Sequence, residues 1–142
     1  MKVPIHTIGD TPTPEYETSG AVAFDLRARQ TTIINSKELG LVPTGVIIKT
    51  PPGYALMVYP RSSTPRKKGL LIPHGAGIID QDYCGAEDEV LLQFYNFTEE
   101  AVTIEKGERV GQGTFVKIER VDFTPYNPED KSRGGFGSTG SH

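Results

Sequence analysis

Val46-Ile47-Ile48-Lys49-Thr50-Pro51-Pro52-Gly53-Tyr54-Ala55-Leu56-Met57-Val58-Tyr59 sets two short apolar runs on either side of a Pro-Pro-Gly turn. Both runs are too short for helices, and the prolines stop any helix from passing between them. The stretch predicts two strands, residues 46–49 and 54–59, joined by a tight connection and paired with each other. The same strand-like spacing extends in both directions. Val3, Ile5 and Ile8 predict a first strand that Pro4 confines to an edge. Residues 21–28, 31–34, 70–72, 90–97, 101–104 and 114–118 continue the series. About ten short strands with turn signals between them predict an all-β sandwich, jelly roll or barrel. One helix is expected, near Ser62-Ser63-Thr64-Pro65, where hydroxyl caps precede a proline suited to a first turn. No internal repeat or second domain is visible.

The chain has 142 residues, the size of one domain with a real core. Its 16 glycines and 11 prolines fit many turns, and a net charge of −3 gives no general attraction to nucleic acid or an anionic membrane. The single cysteine, Cys84, excludes an internal disulfide and fits a reducing compartment. No apolar run reaches membrane-span length, and the first ten residues lack the features of a signal peptide. The expectation is a cytoplasmic protein with no nucleic-acid or membrane partner.

Five segments carry groups that chemistry uses. Gly77-Ile78-Ile79-Asp80-Gln81-Asp82-Tyr83-Cys84-Gly85 reads as a hairpin holding an acid and an aromatic ring beside free backbone groups. Asp80 there is placed to take a proton from a water within about 3 Å, although such a segment alone is an ordinary Asp-rich turn. In Pro60-Arg61-Ser62-Ser63-Thr64 a guanidinium and two hydroxyls meet a helix N-terminus, a combination that favours anions. Simple helix capping needs only one of those serines. Arg66, Lys67 and Lys68 read as a solvated basic face. Asp25 interrupts the apolar run Ala23-Phe24-Asp25-Leu26, so it is paired, protonated, near a metal, or turned to solvent. Gln112, in Glu108-Arg109-Val110-Gly111-Gln112, opens a strand and can donate to a phosphate. Last, Arg133-Gly134-Gly135-Phe136-Gly137-Ser138-Thr139-Gly140 is too rich in glycine for a core element. It nevertheless brings a cation, an aromatic ring and two hydroxyls, as a segment does that orders over a ring-and-phosphate ligand. A phosphate loop of the Walker type, a Cys-rich zinc site and a Ser-His-Asp arrangement are all absent.

These segments, with Ala23-Phe24-Asp25-Leu26-Arg27-Ala28 first and Gly69 closing the second, stand in the order and spacing of the five motifs of the homotrimeric dUTP pyrophosphatases. The chain resembles that family over residues 23–140. The resemblance implies a distorted jelly-roll (β-clip) core over residues 1–127, a flexible C-terminal arm over 128–142, and a threefold trimer with shared active sites. It implies hydrolysis of dUTP to dUMP and diphosphate with Mg²⁺, which keeps uracil out of DNA and supplies dUMP for dTMP synthesis. By position, Asp80 matches the acid that activates water, and Tyr83 the ring that stacks under deoxyribose and leaves no room for a 2′-hydroxyl. Gly77, Ile78, Ile79 and Asp80 match the backbone that reads uracil. Arg61, Ser62, Ser63 and Gln112 match phosphate contacts, and Asp25 the acid that holds the metal through water. Phe136 and Gly137 match the lid over uracil, and Ser138 and Thr139 the grip on the terminal phosphate, shared with Arg133 or Lys131. The link Ala86-Glu87-Asp88-Glu89 is longer and more acidic than the family's usual one, and three acids near a triphosphate need counter-charge or distance.

Two other classes share parts of this pattern. The related dCTP deaminases place a catalytic glutamate three residues before an asparagine on the strand after the hairpin; counting back from Asn96 reaches Gln93, which cannot serve as that base. A non-catalytic nucleotide sensor, or a capsid or lectin-type jelly roll, accounts for the strands but leaves Asp80, Tyr83 and the terminal segment without a task.

Overall fold

A computed structural model describes residues 1–138 and 140. In chain order it contains β1 (Ile5–Thr7), β2 (Phe24–Arg27), β3 (Thr32–Ile34), β4 (Leu39–Pro43), β5 (Val46–Ile48), β6 (Tyr54–Pro60), α1 (Thr64–Lys68), β7 (Leu70–Leu71), β8 (Gly77–Ile79), β9 (Leu91–Asn96), β10 (Val102–Ile104) and β11 (Arg109–Lys117). Two sheets dominate, a four-stranded one in the order β2-β11-β6-β8 and a three-stranded one in the order β4-β9-β7; β1-β5 and β3-β10 complete the wall as two-stranded pairs. All pairings are antiparallel. The arrangement is an all-β jelly roll, one of the three architectures the short strands allow and the one the resemblance implies.

Period-2 burial builds the core. Leu56 and Val58 of β6 point inward between more exposed neighbours, as do Leu92, Phe94 and Asn96 of β9. They meet Phe24 and Leu26 of β2 and Val42 of β4 in one apolar cluster. Asn96, fully buried, donates to the carbonyls of Ile34 (2.9 Å) and Glu100 (2.8 Å) and accepts from the Thr98 N–H and hydroxyl. A buried amide with every bond made fixes the β3, β9 and β10 corner without a desolvation penalty.

The structure corrects two expected pairings. The strands flanking Pro51-Pro52-Gly53 do not pair with each other: β5 pairs with β1, while β6 pairs with β11 and β8. The two prolines turn the chain from one layer into another, since neither can donate to a shared ladder. Likewise the Asp80 segment is no two-stranded hairpin. β8 pairs with β6, and the strand after it, β9, pairs with β4 and β7. β4 was not anticipated, because Gly40 and Pro43 read as turn residues. Five-residue pairing with β9 and the full burial of Val42 outweigh that propensity. The expected edge position of β1 holds.

Candidate active site

The β2, β11 and β6 strands place Asp25, Gln112 and Tyr59 directly opposite one another, on one face of the sheet. Arg61 follows β6, and its Nε lies 3.8 Å from Asp25 Oδ1. On the other side Arg109 donates to Asp25 Oδ2 at 3.3 Å and contacts Glu17 Oε2 at 3.0 Å. Asp25, only 19% exposed, is thus balanced by two guanidiniums. Of the alternatives open for it, pairing is the one observed. Gln112 Nε2 donates to the Pro60 carbonyl at 3.0 Å, which ties β11 to the segment bearing Arg61.

Arg109 is the site residue that reading the motif as a plain strand overlooks. A register shift between Arg109 and Gly111 leaves Val110 and Gly111 both buried. Strict alternation from Gln112 would turn Arg109 into the core; the extra inward residue returns it to the Asp25 face. The signal in the sequence is the small-apolar pair Val110-Gly111 between polar neighbours.

α1 begins beyond Arg61 as expected, with proline in its first turn and Gly69 closing it at φ 67°, a left-handed conformation that glycine adopts freely. The capping expectation fails. Ser63 has helical angles (φ −86°, ψ −12°), and its side chain makes no cap hydrogen bond. Ser62 is exposed beside it. Lys68 pairs with Glu108 at 2.9 Å, so the basic run is partly neutralised from β11's approach.

At the far edge of the same sheet, β8 runs into the Asp80 turn. Gly77 is required there, since a Cβ at that position would collide with the Val58 side chain of β6. The Tyr83 N–H donates to the Asp80 carbonyl (3.2 Å), and Gln81 Nε2 donates to the Tyr54 carbonyl (3.0 Å). Asp80 is exposed, and its carboxylate has no hydrogen bond or ion pair among the described residues. The Tyr83 hydroxyl donates to the Glu89 carbonyl at 2.9 Å. Two of the three acids of the following link have local partners, while Glu87 is exposed. Asp88 accepts from the Gly85 N–H at 2.7 Å, and Glu89 forms a two-bond pair with Arg29 at 2.8 and 3.0 Å. That pair balances Glu89, one of the three charges of the acidic link.

Magnesium takes oxygen ligands and, when protein carboxylates are few, keeps waters and shares phosphate oxygens. Among the described residues no group of three or more His, Cys, Asp or Glu forms a cage. Asp25 presents its carboxylate oxygens beside Arg61 and Arg109, and both face guanidiniums. This donor set fits a magnesium ion held through water and completed by substrate phosphates.

The C-terminal segment stands apart from all of this. The last backbone bond to the body runs from the Ile118 N–H to the Gly53 carbonyl, and residues 116–138 are exposed. The departure from the body falls ten residues ahead of the boundary expected at 128. Arg133, Phe136, Gly137 and Ser138 are exposed and, among the described residues, make no hydrogen bond to another motif; Lys131 is equally exposed, and Thr139 lies outside the described residues. The tip is folded locally, by Ser138 N–H to the Gly135 carbonyl at 3.0 Å.

One chain therefore keeps three groups separate: Asp25 with Arg61, Arg109 and Gln112; Asp80 with Tyr83; and the terminal segment. Asp80 lies two strands and about four residues from Gln112, roughly 16 Å apart at ordinary strand spacing. Separate cavities reflect this. One of about 580 Å³ includes Asp25, one of about 260 Å³ Arg61 and Ser63, and one of about 310 Å³ Gly77, Ile78 and Ile79.

No helix among the described residues is long and apolar enough to cross a membrane. The family model for dUTPase matches residues 10–140. The deoxyuridine 5′-triphosphate nucleotidohydrolase of Lactococcus lactis is 40% identical over 131 residues, covering 90% of this chain and 87% of that protein. A crystal structure of dUTPase from Streptococcus mutans, 36% identical, superposes with a TM-score of 0.78 over 84% of this chain and 98% of its own. The dUTPase of Staphylococcus bacteriophage 80alpha with dUPNHPP shares the fold at 21% identity, with a TM-score of 0.86 and 99% of each chain covered. With the motif residues set on a jelly roll of that shape, the chain belongs to the dUTPase family.

Proposed function

We propose that this chain hydrolyses dUTP to dUMP and diphosphate, in sites shared between the three copies of a homotrimer. The observation that carries the reading is Asp80: an exposed carboxylate, unpartnered among the described residues, on a turn braced at Gln81 and Tyr83 in a chain of this family. Asp80 takes a proton from the water that attacks the α-phosphorus. The bond from that phosphorus to the bridging oxygen breaks, and diphosphate leaves. Phosphoryl transfer depends on positioning and charge stabilisation more than on covalent chemistry. Arg61, Ser62, Ser63 and Gln112 supply these along the phosphates. The uncapped Ser63 hydroxyl supports that role, being free of the helix it precedes.

Tyr83 packs under the deoxyribose, and the backbone of Gly77 to Asp80 reads uracil from the β8 edge. Bound Mg²⁺ supplies positive charge on the triphosphate, with Asp25 holding it through water. The terminal segment, whose described residues make no hydrogen bond to their own body, closes a neighbour's site: Arg133 or Lys131, Ser138 and Thr139 on the terminal phosphate, Phe136 and Gly137 over the base. Separation of the three groups within one chain supports assembly, since each is incomplete without another copy. The product dUMP feeds dTMP synthesis, and lower dUTP keeps uracil out of DNA. A single free cysteine, Cys84, supports a cytoplasmic setting.

Steady-state hydrolysis of dUTP beside dTTP, dCTP and UTP, with and without Mg²⁺, tests the reading. The expectation is dUTP turnover that requires magnesium, by a species of three chains. A monomer that leaves dUTP intact with magnesium present sinks it, and ammonia released from dCTP would move the chain to the deaminase branch.

A further inference from the structure

We propose that Glu89, held by Arg29, is a positioning residue for sugar selection: it fixes where the Tyr83 ring stands without touching the nucleotide. The inference rests on the dUTPase reading above. Glu89 is the last residue of the acidic link, with its side chain 12% exposed. Its carboxylate accepts two bonds from Arg29 and a third from the Gly45 N–H at 2.6 Å. Bidentate pairing of this kind fixes angle as well as distance. The bonded carboxylate also raises the Arg29 guanidinium further above its ordinary pKa.

The backbone of the same residue holds the ring. Its carbonyl accepts the Tyr83 hydroxyl at 2.9 Å, across a link that has no strand of its own. Val90, next in the chain, is fully buried and bonds to both sides of the β4–β5 turn: its N–H to the Val46 carbonyl, its carbonyl from the Thr44 N–H and hydroxyl. The Tyr83 hydroxyl is therefore fixed to a point that Arg29, Thr44 and Gly45 determine jointly. A ring pinned at its far end cannot tilt to admit a 2′-hydroxyl. The unusual length and charge of this link thus have a use, as Glu89 reaches Arg29 while its carbonyl stays under the phenol.

The test compares kcat/KM for dUTP and UTP in the full-length wild-type chain, Glu89→Gln, Arg29→Lys, Tyr83→Phe and the Glu89→Gln/Tyr83→Phe pair, with melting temperatures alongside. Glu89→Gln is expected to lose about tenfold of the preference for dUTP, the scale on which small misplacements act, with dUTP turnover falling less. Arg29→Lys keeps the charge without the two-bond fork and should fall between. Tyr83→Phe cuts the tether at its other end, so the double variant should lose no more than the larger single loss. Unchanged selectivity in a folded Glu89→Gln overturns the proposal, as does full additivity in the pair. Should Glu89→Gln fail to fold, unchanged selectivity in Tyr83→Phe overturns it instead. Wild-type protein inert toward dUTP brings down the functional reading itself, whereas active wild type with unaltered variants brings down this inference alone.

Discussion

Asp25 and Asp80 belong to the two opposite edges of one four-stranded sheet, on β2 and just past β8. The side chain of the first is largely buried between Arg61 and Arg109; that of the second is exposed and, among the described residues, has no hydrogen-bond or ion-pair partner. Both are aspartates at the edge of the sheet, one within a strand and one just past one, so residue type does not separate their roles. Neighbours do. A carboxylate already balanced by two guanidiniums organises charge, while one left open to solvent on a braced turn is available to a water molecule. In the proposed reaction the edge near Asp25 would hold the phosphates, and the edge near Asp80 would read the nucleoside and move the proton.

The sharpest way to break that contrast is Asp80→Asn, which keeps the size and removes the proton acceptor. Turnover should fall by roughly 10²–10⁴, the range for loss of a general base, with dUTP binding and assembly retained. Calorimetric binding of a non-hydrolysable analogue beside steady-state rates would check it. Near-normal turnover would mean that Asp80 is no more chemically active than Asp25.

Next in size is removal of residues 131–142. Because residues 116–138 are exposed and residues after Ile118 make no backbone bond to the body, the melting temperature should stay the same. Activity should drop on the order of a hundredfold, as positioning over both edges is lost. A large fall in melting temperature would show that the segment is part of the core.

How far each edge was legible follows from the same contrast. Local features were readable: residues 54–59 and 90–97 read as strands, the Asp80–Tyr83 segment as rich in turns, and the proline start of α1 was placed correctly. Pairing was not. Pro51-Pro52-Gly53 looks like a hairpin turn, yet its flanking strands join different partners, because register is decided by packing across the chain. Arg109 and Glu89 stayed hidden for related reasons. One depends on a bulge that flips its face, the other on an arginine sixty residues away. What the sequence shows is which groups exist; which of them are neutralised is a tertiary fact.

Gly77→Ala tests whether the Asp80 edge depends on close contact between β8 and β6. The added methyl would meet the Val58 side chain, which is buried in the core and cannot swing away. Overpacking of this kind costs about 1–3 kcal/mol. Both the melting temperature and dUTP turnover should fall together, because Asp80 follows the displaced strand. A stable variant with lowered turnover would point instead to lost contact between the backbone and uracil.

The smallest effect on stability should come from Asp25→Asn. Arg109 retains Glu17 at 3.0 Å, and Arg61 is about a third exposed, so neither guanidinium is left buried without a partner. Partly exposed ion pairs contribute little, and the loss should stay below about 1 kcal/mol by chemical denaturation. The functional signature is separate: the magnesium concentration needed for half-maximal hydrolysis should rise, while the loss of a proton acceptor seen with Asp80→Asn should not appear. If Asp25→Asn instead abolished turnover at saturating magnesium, the charge balance at that edge would be acting on the reacting atoms directly, and the division of labour between the two edges would have to be redrawn.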